Sequence, residues 1–351
     1  MTGGGTGGTI TPLLAVSEAI RLLDPTAEIL FLLTKNPSES TLVRNAGFSA
    51  QRFPAGKWRR YFDLRNIRDL FVIGYAFFRS LFFLSRWRPN IVVSAGSFLS
   101  VPIAWAAKLM GIPALIHQQD LAAGLANRLM AKTAAMVTVT FAESKTQFGS
   151  HRTVHITGNP VRESVMHGDP ERGRQIHHLE PNIPTLLVLG GSSGASFFST
   201  LLEKTMNELA VFCQVVHVTG KRAPIGIAKH VRYHAVPFLS GELADTVAVA
   251  DVVVTRAGLS TLSELAACEK PVCIIPMPDT HQEANAQAFA SANAAVVFSQ
   301  KTLKPDVFVS AIRNVLMSEE EREKLRAAIR AFAAPEAARR IATNILSLAR
   351  P

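Results

Sequence analysis

Cysteine is scarce in this sequence. Its 351 residues include three, Cys213, Cys268 and Cys273. That is too few for a disulfide framework, and none sits in a Cys-x-x-Cys pair, which argues against a zinc ribbon or a thioredoxin-like centre. All three read as small buried apolar residues. Long apolar runs are missing too. The longest nearly uninterrupted one, Leu70 to Leu84, has 15 residues and contains Arg79. As a helix it would span about 22 Å against a hydrocarbon core of about 30 Å, so no transmembrane helix is expected. Met1 to Gly5 place no basic stretch before an apolar one, so no secretory signal is expected. Acidic charge is short in one half only. Residues 1–160 hold 17 Lys and Arg against 8 Asp and Glu; residues 161–351 hold 20 against 19. A one-sided basic excess fits a phosphorylated ligand, nucleic acid or an anionic membrane surface.

With 48% hydrophobic and 18% charged residues, the chain can bury the cores of about two domains. Short β-rich runs are expected at Glu28–Thr34, Ile91–Ser94, Pro113–His117 and Met136–Phe141. A second series is expected at Thr185–Gly190, Gln214–Thr219, Asp251–Thr255, Val272–Pro276 and Ala294–Phe298. Helical patterns separate most of them: Leu13–Leu23, Val101–Met110, Leu121–Thr133, Phe197–Leu209, Leu262–Ala267 and Gln282–Phe289. Apolar strands with helical crossovers imply α/β architecture, with parallel sheets covered on both faces. The turn-rich Gly158-Asn159-Pro160 marks the boundary between two Rossmann-like domains, expected to face each other across a cleft. A charged amphipathic helix, broken at Pro335, closes the chain.

Each half opens on a glycine loop that leads into a helix: Gly3-Gly4-Gly5-Thr6-Gly7-Gly8 and Gly190-Gly191-Ser192-Ser193-Gly194-Ala195. Such a loop normally follows a strand, yet only Met1 and Thr2 precede Gly3. The central first strand is therefore expected to be missing: either on the order of six to eight residues belong upstream, the favoured reading, or the sheet is built without that strand. Gly3-x-Gly5-x-x-Gly8, with Asp24 and Glu28 after it, formally matches a dinucleotide fingerprint, and a plain tight turn is the bland alternative. Gly190-x-Ser192-x-Gly194, with Asp251 and His281 downstream, formally matches a nucleophile elbow but leaves the first half unexplained. A serine-rich phosphate loop fits better, because hydroxyls and a helix N-terminus suit a diphosphate.

Further on, Arg256-Ala257-Gly258-Leu259-Ser260-Thr261-Leu262-Ser263-Glu264 follows a strand. Gly258 lets backbone approach a ligand, the hydroxyls cap the helix, and Glu264 suits ribose hydroxyls unless it merely complements the helix dipole. Gln282 and Asn285 after the next strand suit sugar hydroxyls, or cap a helix. In the first half, His117-Gln118-Gln119-Asp120 stands at a strand end where α/β folds bind ligands, and Gly96-Ser97 opens another helix. The segment 56–89 mixes Lys57, Arg59, Arg60, Arg79 and Arg86 with Trp58, Phe71, Phe78, Phe82 and Trp87. That pattern fits an interfacial membrane patch better than nucleic acid, for which no recognised motif is present.

Taken together, Thr6-Gly7-Gly8 with Pro12, Gly96 to Pro102, Gly124-Leu125-Ala126-Asn127, Gly158-Asn159-Pro160-Val161-Arg162, Gly190 to Ala195, Arg256 to Glu264, and His281-Gln282 with Asn285-Ala286 carry a resemblance. From Gly3 to about Gln300 the chain resembles the MurG-type N-acetylglucosaminyltransferases of glycosyltransferase family 28, which have the GT-B fold. The resemblance implies an inverting transfer from UDP-GlcNAc to the MurNAc of lipid I, the undecaprenyl-diphosphate-linked MurNAc-pentapeptide, forming lipid II at the cytoplasmic face of the cell membrane, with no cofactor and no catalytic metal. It implies a donor site of Thr6, Gly7, Gly8, Asp120, Arg162, Ser192, Leu239, Leu259, Ser260, Thr261, Leu262, Ser263, Glu264 and Gln282. Gly5, Thr6, Gly7, Gly8, Thr9, Gly96 and Ser97 would hold the acceptor diphosphate, and Trp58, Phe71, Phe78, Phe82, Arg79 and Arg86 the membrane. The expected division is 1–158 for acceptor and membrane, 159–334 for UDP-sugar, and 335–351 as a helix returning to the first domain. Three departures stand out. Ser97 and Thr9 replace the family's usual glycine and histidine, and His117-Gln118-Gln119-Asp120 replaces its His-Glu-Gln-Asn. A threonine or glutamine cannot take a proton at neutral pH, so Asp120 is the expected base and His117 the second candidate. The alternatives are a binding protein without turnover, or a transferase acting on another lipid acceptor.

Overall fold

The computed structural model describes residues 1–5, 7–56, 65–149, 153–220, 227, 230–239 and 241–349, without the side chains of residues 65–67 and 191–195. The chain divides into two units: Met1–Arg162 together with Ala334–Pro351, and Glu163–Ala333.

The first unit runs α1 (Thr11–Leu23), β1 (Leu30–Leu33), α2 (Pro37–Asn45), β2 (Ser49–Arg52), α3 (Arg65–Trp87), β3 (Val92–Ser94), α4 (Ser100–Leu109), β4 (Ala114–Gln118), α5 (Leu125–Ala131), β5 (Met136–Val139) and β6 (Val154–Ile156). β1 pairs with β2, and β3 to β6 pair in sequence order, all in parallel. Thr2 bridges Leu32 on β1 and Ser94 on β3. Thr2 N donates to Val93 O at 2.8 Å, and Leu32 N to Met1 O at 2.9 Å. Residues 1–3 thus occupy the central lane for which the sequence offers no strand of ordinary length.

The last helix of the chain belongs to this unit. Its apolar Ile341 and Ala342, with Ile345 one turn later, pack with Leu13, Leu14, Val16 and Ile20 of α1 and with Phe31 and Leu33 of β1. α3 is two-faced. Ala76, Ser80 and Leu84 are buried, while Leu70, Phe71, Tyr75, Phe78 and Phe82 are 57–76% exposed. Residues Arg68–Trp87 are long and apolar enough to cross a bilayer by length and composition. The apolar run in the sequence ends at Leu84, but the helix continues to Trp87. Leu84 packs with Phe53, Leu99 and Ile103, so one face belongs to the protein core. Arg79, expected at a membrane, is half-buried with its guanidinium 5.1 Å from the centre of the Phe53 ring.

The second unit runs α6 (Glu163–Met166), α7 (Pro170–His177), β7 (Thr185–Leu189), α8 (Gly191–Leu209), β8 (Gln214–Val218), β9 (Tyr233–Val236), α9 (Leu243–Val249), β10 (Val252–Thr255), α10 (Leu259–Ala267), β11 (Val272–Ile274), α11 (Gln282–Ser291), β12 (Val296–Val297), α12 (Pro305–Met317) and α13 (Glu319–Ile329); α14 (Ala337–Ala349) is the helix returned to the first unit. Its parallel sheet has the order β12-β11-β10-β7-β8-β9. The chain therefore winds outward from β7, returns to β10 and winds outward the other way. That places the topological switch point between β7 and β10, where open α/β sheets bind ligands. All three cysteines are free. Burial pushes the Cys213 and Cys273 thiols up to about 12 and Cys268 to about 11, which makes them inert.

Candidate functional site

In the first unit, β4 ends on His117 and Gln118. His117 is 2% exposed. Its Nδ1 lies 2.9 Å from Thr138 Oγ1 on β5, and its Nε2 lies 3.1 Å from Asn159 Oδ1. The amide oxygen accepts, so Nε2 carries the hydrogen and Nδ1 accepts from the threonine. Burial lowers the imidazole from 6.5 to about 4, against a smaller upward pull from Asn159. A neutral ring with both nitrogens engaged is a poor proton acceptor. His117 is corrected from candidate base to the buried joint between β4, β5 and the Asn159 turn.

Gln118 and Gln119 are buried and Asp120 is half-buried. Gln118 Nε2 donates to Asp120 O at 2.7 Å and to Ala122 O at 3.2 Å, while Asn127 Nδ2 donates to Gln118 Oε1 at 2.6 Å. Gln119 Nε2 donates to Ala95 O at 3.2 Å. Asn127 Oδ1 is buried without a hydrogen-bond partner and lies against Gly96, whose φ is +93°.

The glycine loops are less open to an anion than their sequences imply. Gly4 N donates to Thr9 Oγ1 at 3.0 Å, and Gly5 N to Glu39 Oε1 at 2.7 Å. The other oxygen of Glu39 accepts from Thr34 N at 3.0 Å and Thr34 Oγ1 at 2.8 Å. Glu39, 2% exposed, was not foreseen: it reads as an ordinary first-turn acid of α2, and its glycine partner is 34 residues away. Gly96 N donates to Ser94 Oγ at 3.1 Å, and Ser97 Oγ accepts from Leu99 N at 3.2 Å. The amides of Gly5 and Gly96 are thus committed within the protein, a correction to their expected role with a diphosphate. Ser97 keeps its hydroxyl hydrogen. Gly7 and Gly8 begin a short 3-10 turn leading into α1, with Gly7 exposed. Thr6 and Trp58 lie outside the described residues.

In the second unit, α8 and α10 both begin at the switch point. Gly190 precedes α8, placing Ser192 second in that helix; its side chain lies outside the described residues. Gly258 precedes α10. Ser260 and Thr261, in the first turn, are half-buried; Ser263 and Glu264 are buried. Glu264 is the sixth residue of the helix, beyond the first turn, so dipole complementation does not explain it. Leu259 and Leu262 point into the core, 3% and 0% exposed. Leu262 N already bonds Gly258 O, so Leu262 is withdrawn as a ligand contact. Gln282 opens α11, and its Oε1 accepts from Met277 N at 3.0 Å, leaving its amide hydrogens to donate. Asn285 Nδ2 donates to Ala257 O at 3.0 Å, tying α11 to the loop after β10. Arg256 anchors the same loop. Its Nη1 donates to Ile275 O at 2.9 Å and to Gln300 Oε1 at 2.6 Å, and its guanidinium lies about 5 Å from the Phe197 and Phe198 rings of α8. Leu239 is half-buried beside the exposed Phe238, after β9. Arg162 ends the first segment of the first unit. Among the described residues no three His, Cys, Asp or Glu side chains cluster to hold a metal ion.

Known proteins share this architecture. Acinetobacter baumannii MurG superposes with a TM-score of 0.73 at 23% identity, covering 99% of this chain and 98% of that one. A Staphylococcus aureus MnaA–UDP structure gives 0.73 at 13% identity, covering 99% and 96%. Both likenesses speak for the fold alone, the two-domain GT-B arrangement of parallel sheets. Sequence goes further. The UDP-N-acetylglucosamine--N-acetylmuramyl-(pentapeptide) pyrophosphoryl-undecaprenol N-acetylglucosamine transferase of Clostridium kluyveri is 31% identical over 323 residues, 91% of each chain. The proteins of the same name from Symbiobacterium thermophilum and Treponema denticola are 33% and 34% identical, over 100% and 90% of this chain and 96% and 87% of theirs. The glycosyltransferase family 28 N-terminal domain matches residues 1–139 and the family's C-terminal domain residues 185–341. With both domain types matched in order, and kinship above 30% along nine-tenths of the chain, this protein belongs to glycosyltransferase family 28.

Proposed function

We propose that this chain transfers N-acetylglucosamine from UDP-N-acetylglucosamine to the N-acetylmuramyl group of a pentapeptide-bearing undecaprenyl diphosphate, releasing UDP. The observation that carries the proposal is the full-length kinship to transferases named for that reaction. The geometry supports it. Two glycine-led helices, α8 and α10, start at the switch point of the second sheet, where their N–H groups suit a nucleoside diphosphate. In this reading Ser192, Ser260 and Thr261 face the diphosphate, Glu264 the ribose, Leu239 the uracil and Gln282 the sugar.

The displacement is written as one inverting step. The acceptor hydroxyl oxygen attacks the anomeric carbon, the bond from that carbon to the UDP oxygen breaks, and the hydroxyl proton passes to the Asp120 carboxylate. The helix N-termini offset the charge that develops on the leaving diphosphate. Asp120 is favoured because His117 has no lone pair to spare and Gln118 is an amide. The exposed Phe71, Tyr75, Phe78 and Phe82 lie at i, i+4, i+7 and i+11, one stripe of α3, and Arg86 is exposed on the last turn. Such a stripe suits an acceptor presented at an anionic membrane surface, with the enzyme docked peripherally on the cytoplasmic face.

The test incubates the full chain with UDP-N-acetylglucosamine and a short-chain acceptor analogue, following UDP release and product mass. The expected product is heavier by one N-acetylhexosamine. Asp120→Asn is expected to lower kcat by about a hundredfold or more. Donor binding without product would overturn the transferase reading in favour of a binding protein.

A further inference from the structure

We infer that Gln118 is a positioning residue whose carboxamide holds the backbone beneath Asp120, and that it works there only as an amide. The inference rests on Asp120 as the proton acceptor, and its test separates the two.

The backbone that follows β4 is held almost atom by atom. Gln118 Nε2 takes the carbonyls of Asp120 and Ala122. Between them, Leu121 O accepts from Ser144 Oγ at 2.9 Å and from Gln147 Nε2 at 2.7 Å. Next along, Ala123 N donates to Gln147 Oε1 at 2.7 Å. Three consecutive carbonyls and the following amide therefore bond to side chains rather than to a neighbouring strand. Asp120 is the acidic residue on this stretch.

The polarity of the arrangement is forced. Two carbonyl oxygens require hydrogens, so the Gln118 nitrogen must face them. Its oxygen must then face Asn127, whose nitrogen also bonds His117 O at 3.2 Å. Asn127 must in turn present its oxygen to Gly96, where it is buried and unpartnered. The orphaned acceptor is what this chain of amides leaves at its far end. Turning any one amide over would set oxygen against oxygen at the next contact.

An ionised carboxylate at position 118 has no hydrogen to give to either carbonyl. This chain carries an amide at 118 and a carboxylate at 120, and the amide secures the loop on which the carboxylate stands. A glutamate at 118 would release the loop.

The experiment compares Gln118→Glu, Gln118→Asn, Asp120→Asn and the double variant Q118E/D120N. It measures kcat, KM for UDP-N-acetylglucosamine, the pH profile, and hydrogen exchange at residues 121–123. Gln118→Asn, one methylene shorter, keeps the polarity and guards against a glutamate variant that does not fold. Gln118→Glu and Gln118→Asn are expected to lower kcat by about tenfold or more, with donor KM within about twofold and faster exchange at residues 121–123. As pH falls, exchange at residues 121–123 in Gln118→Glu should approach that of the wild type at the same pH, because the protonated carboxyl again has a hydrogen to donate; Gln118→Asn should show no such return. Wild-type turnover in Gln118→Glu or in the double variant would overturn the inference. So would unchanged exchange at residues 121–123 in both single variants at position 118. Full turnover in Asp120→Asn, with exchange still accelerated in the position-118 variants, would leave the loop assignment standing and remove Asp120 as the base.

Discussion

Mild acid should weaken the first unit through one imidazole. His117 ionises near 6.5 in an unfolded chain, but burial holds it at about 4 in the folded protein. Because the folded value is depressed, the unfolded state takes up a proton between these limits that the folded state refuses. The contribution of His117 to stability is full above pH 6.5, falls as the pH drops, and is gone below about 4. The whole shift corresponds to ~3 kcal/mol, of which about 2 kcal/mol is lost by about pH 5. All three tryptophans, Trp58, Trp87 and Trp105, fall within Met1–Arg162, so intrinsic fluorescence follows this unit alone. Urea titrations at about pH 8 and about pH 5 would compare the wild type with His117→Gln. The variant's starting stability drops out of the comparison, and the decisive quantity is the loss between the two pH values. The wild type should lose about 2 kcal/mol more than the variant, a midpoint difference of about 1 M urea at a slope near 2 kcal/mol/M. Equal losses would refute the assignment of a buried neutral imidazole.

Glu39→Gln keeps an acceptor for Gly5 N but turns an NH2 group on the Thr34 amide; it should cost about 2 kcal/mol, read as a lower urea midpoint by the same fluorescence. Gly158 has φ +79°, and a Cβ there would overlap the Ala334 Cβ. Gly158→Ala should therefore destabilise the first unit by about 2 kcal/mol, and adding Ala334→Gly should return only part of the loss, since it relieves the overlap and not the backbone strain. Replacing Phe71, Phe78 and Phe82 together with serine should weaken binding to phosphatidylglycerol vesicles by at least about a hundredfold in a sedimentation assay, while turnover of a water-soluble acceptor analogue persists. Unchanged sedimentation would remove α3 as the docking face.

The central strands were legible because burial on both faces leaves near-continuous apolar runs: β4, β5, β7 and β10 are buried along their whole length. Three edge strands carried no such signal. β2 is Ser-Ala-Gln-Arg and mostly exposed, β6 buries only Val154, and β9 only Tyr233. Their pairing is supplied by a neighbour and not by their own pattern. The glycine-serine stretch after β7 has the composition of a loop, and the helical pattern in the sequence begins at Phe197, but α8 starts at Gly191. Helix propensity is a weak prior there, since the following turns, with Phe198, Leu201, Leu202 and Met206, are anchored in the core.

The site was legible in its positions and not in its hydrogen bonds. Spacing alone put glycine loops after strands and polar residues after β4. It could not show that His117 looks inward to Thr138, or that Leu262 sits on the core side of α10. Least legible was the charge beneath the first glycine loop. A glycine run before a helix implies an anion site, but this one rests on the buried carboxylate of Glu39, which already uses the Gly5 amide. A buried negative charge works against binding a second one nearby. The glycines here let the loop fold over Glu39, as shown by Gly4, where a Cβ would lie 2.6 Å from Thr34 Cγ2 and 2.9 Å from Glu39 Oε2. An anion held near this loop would then need cations to offset it, and this half has them in excess. Residues 1–160 carry 17 basic side chains against 8 acidic ones, and one of those eight is spent holding the loop.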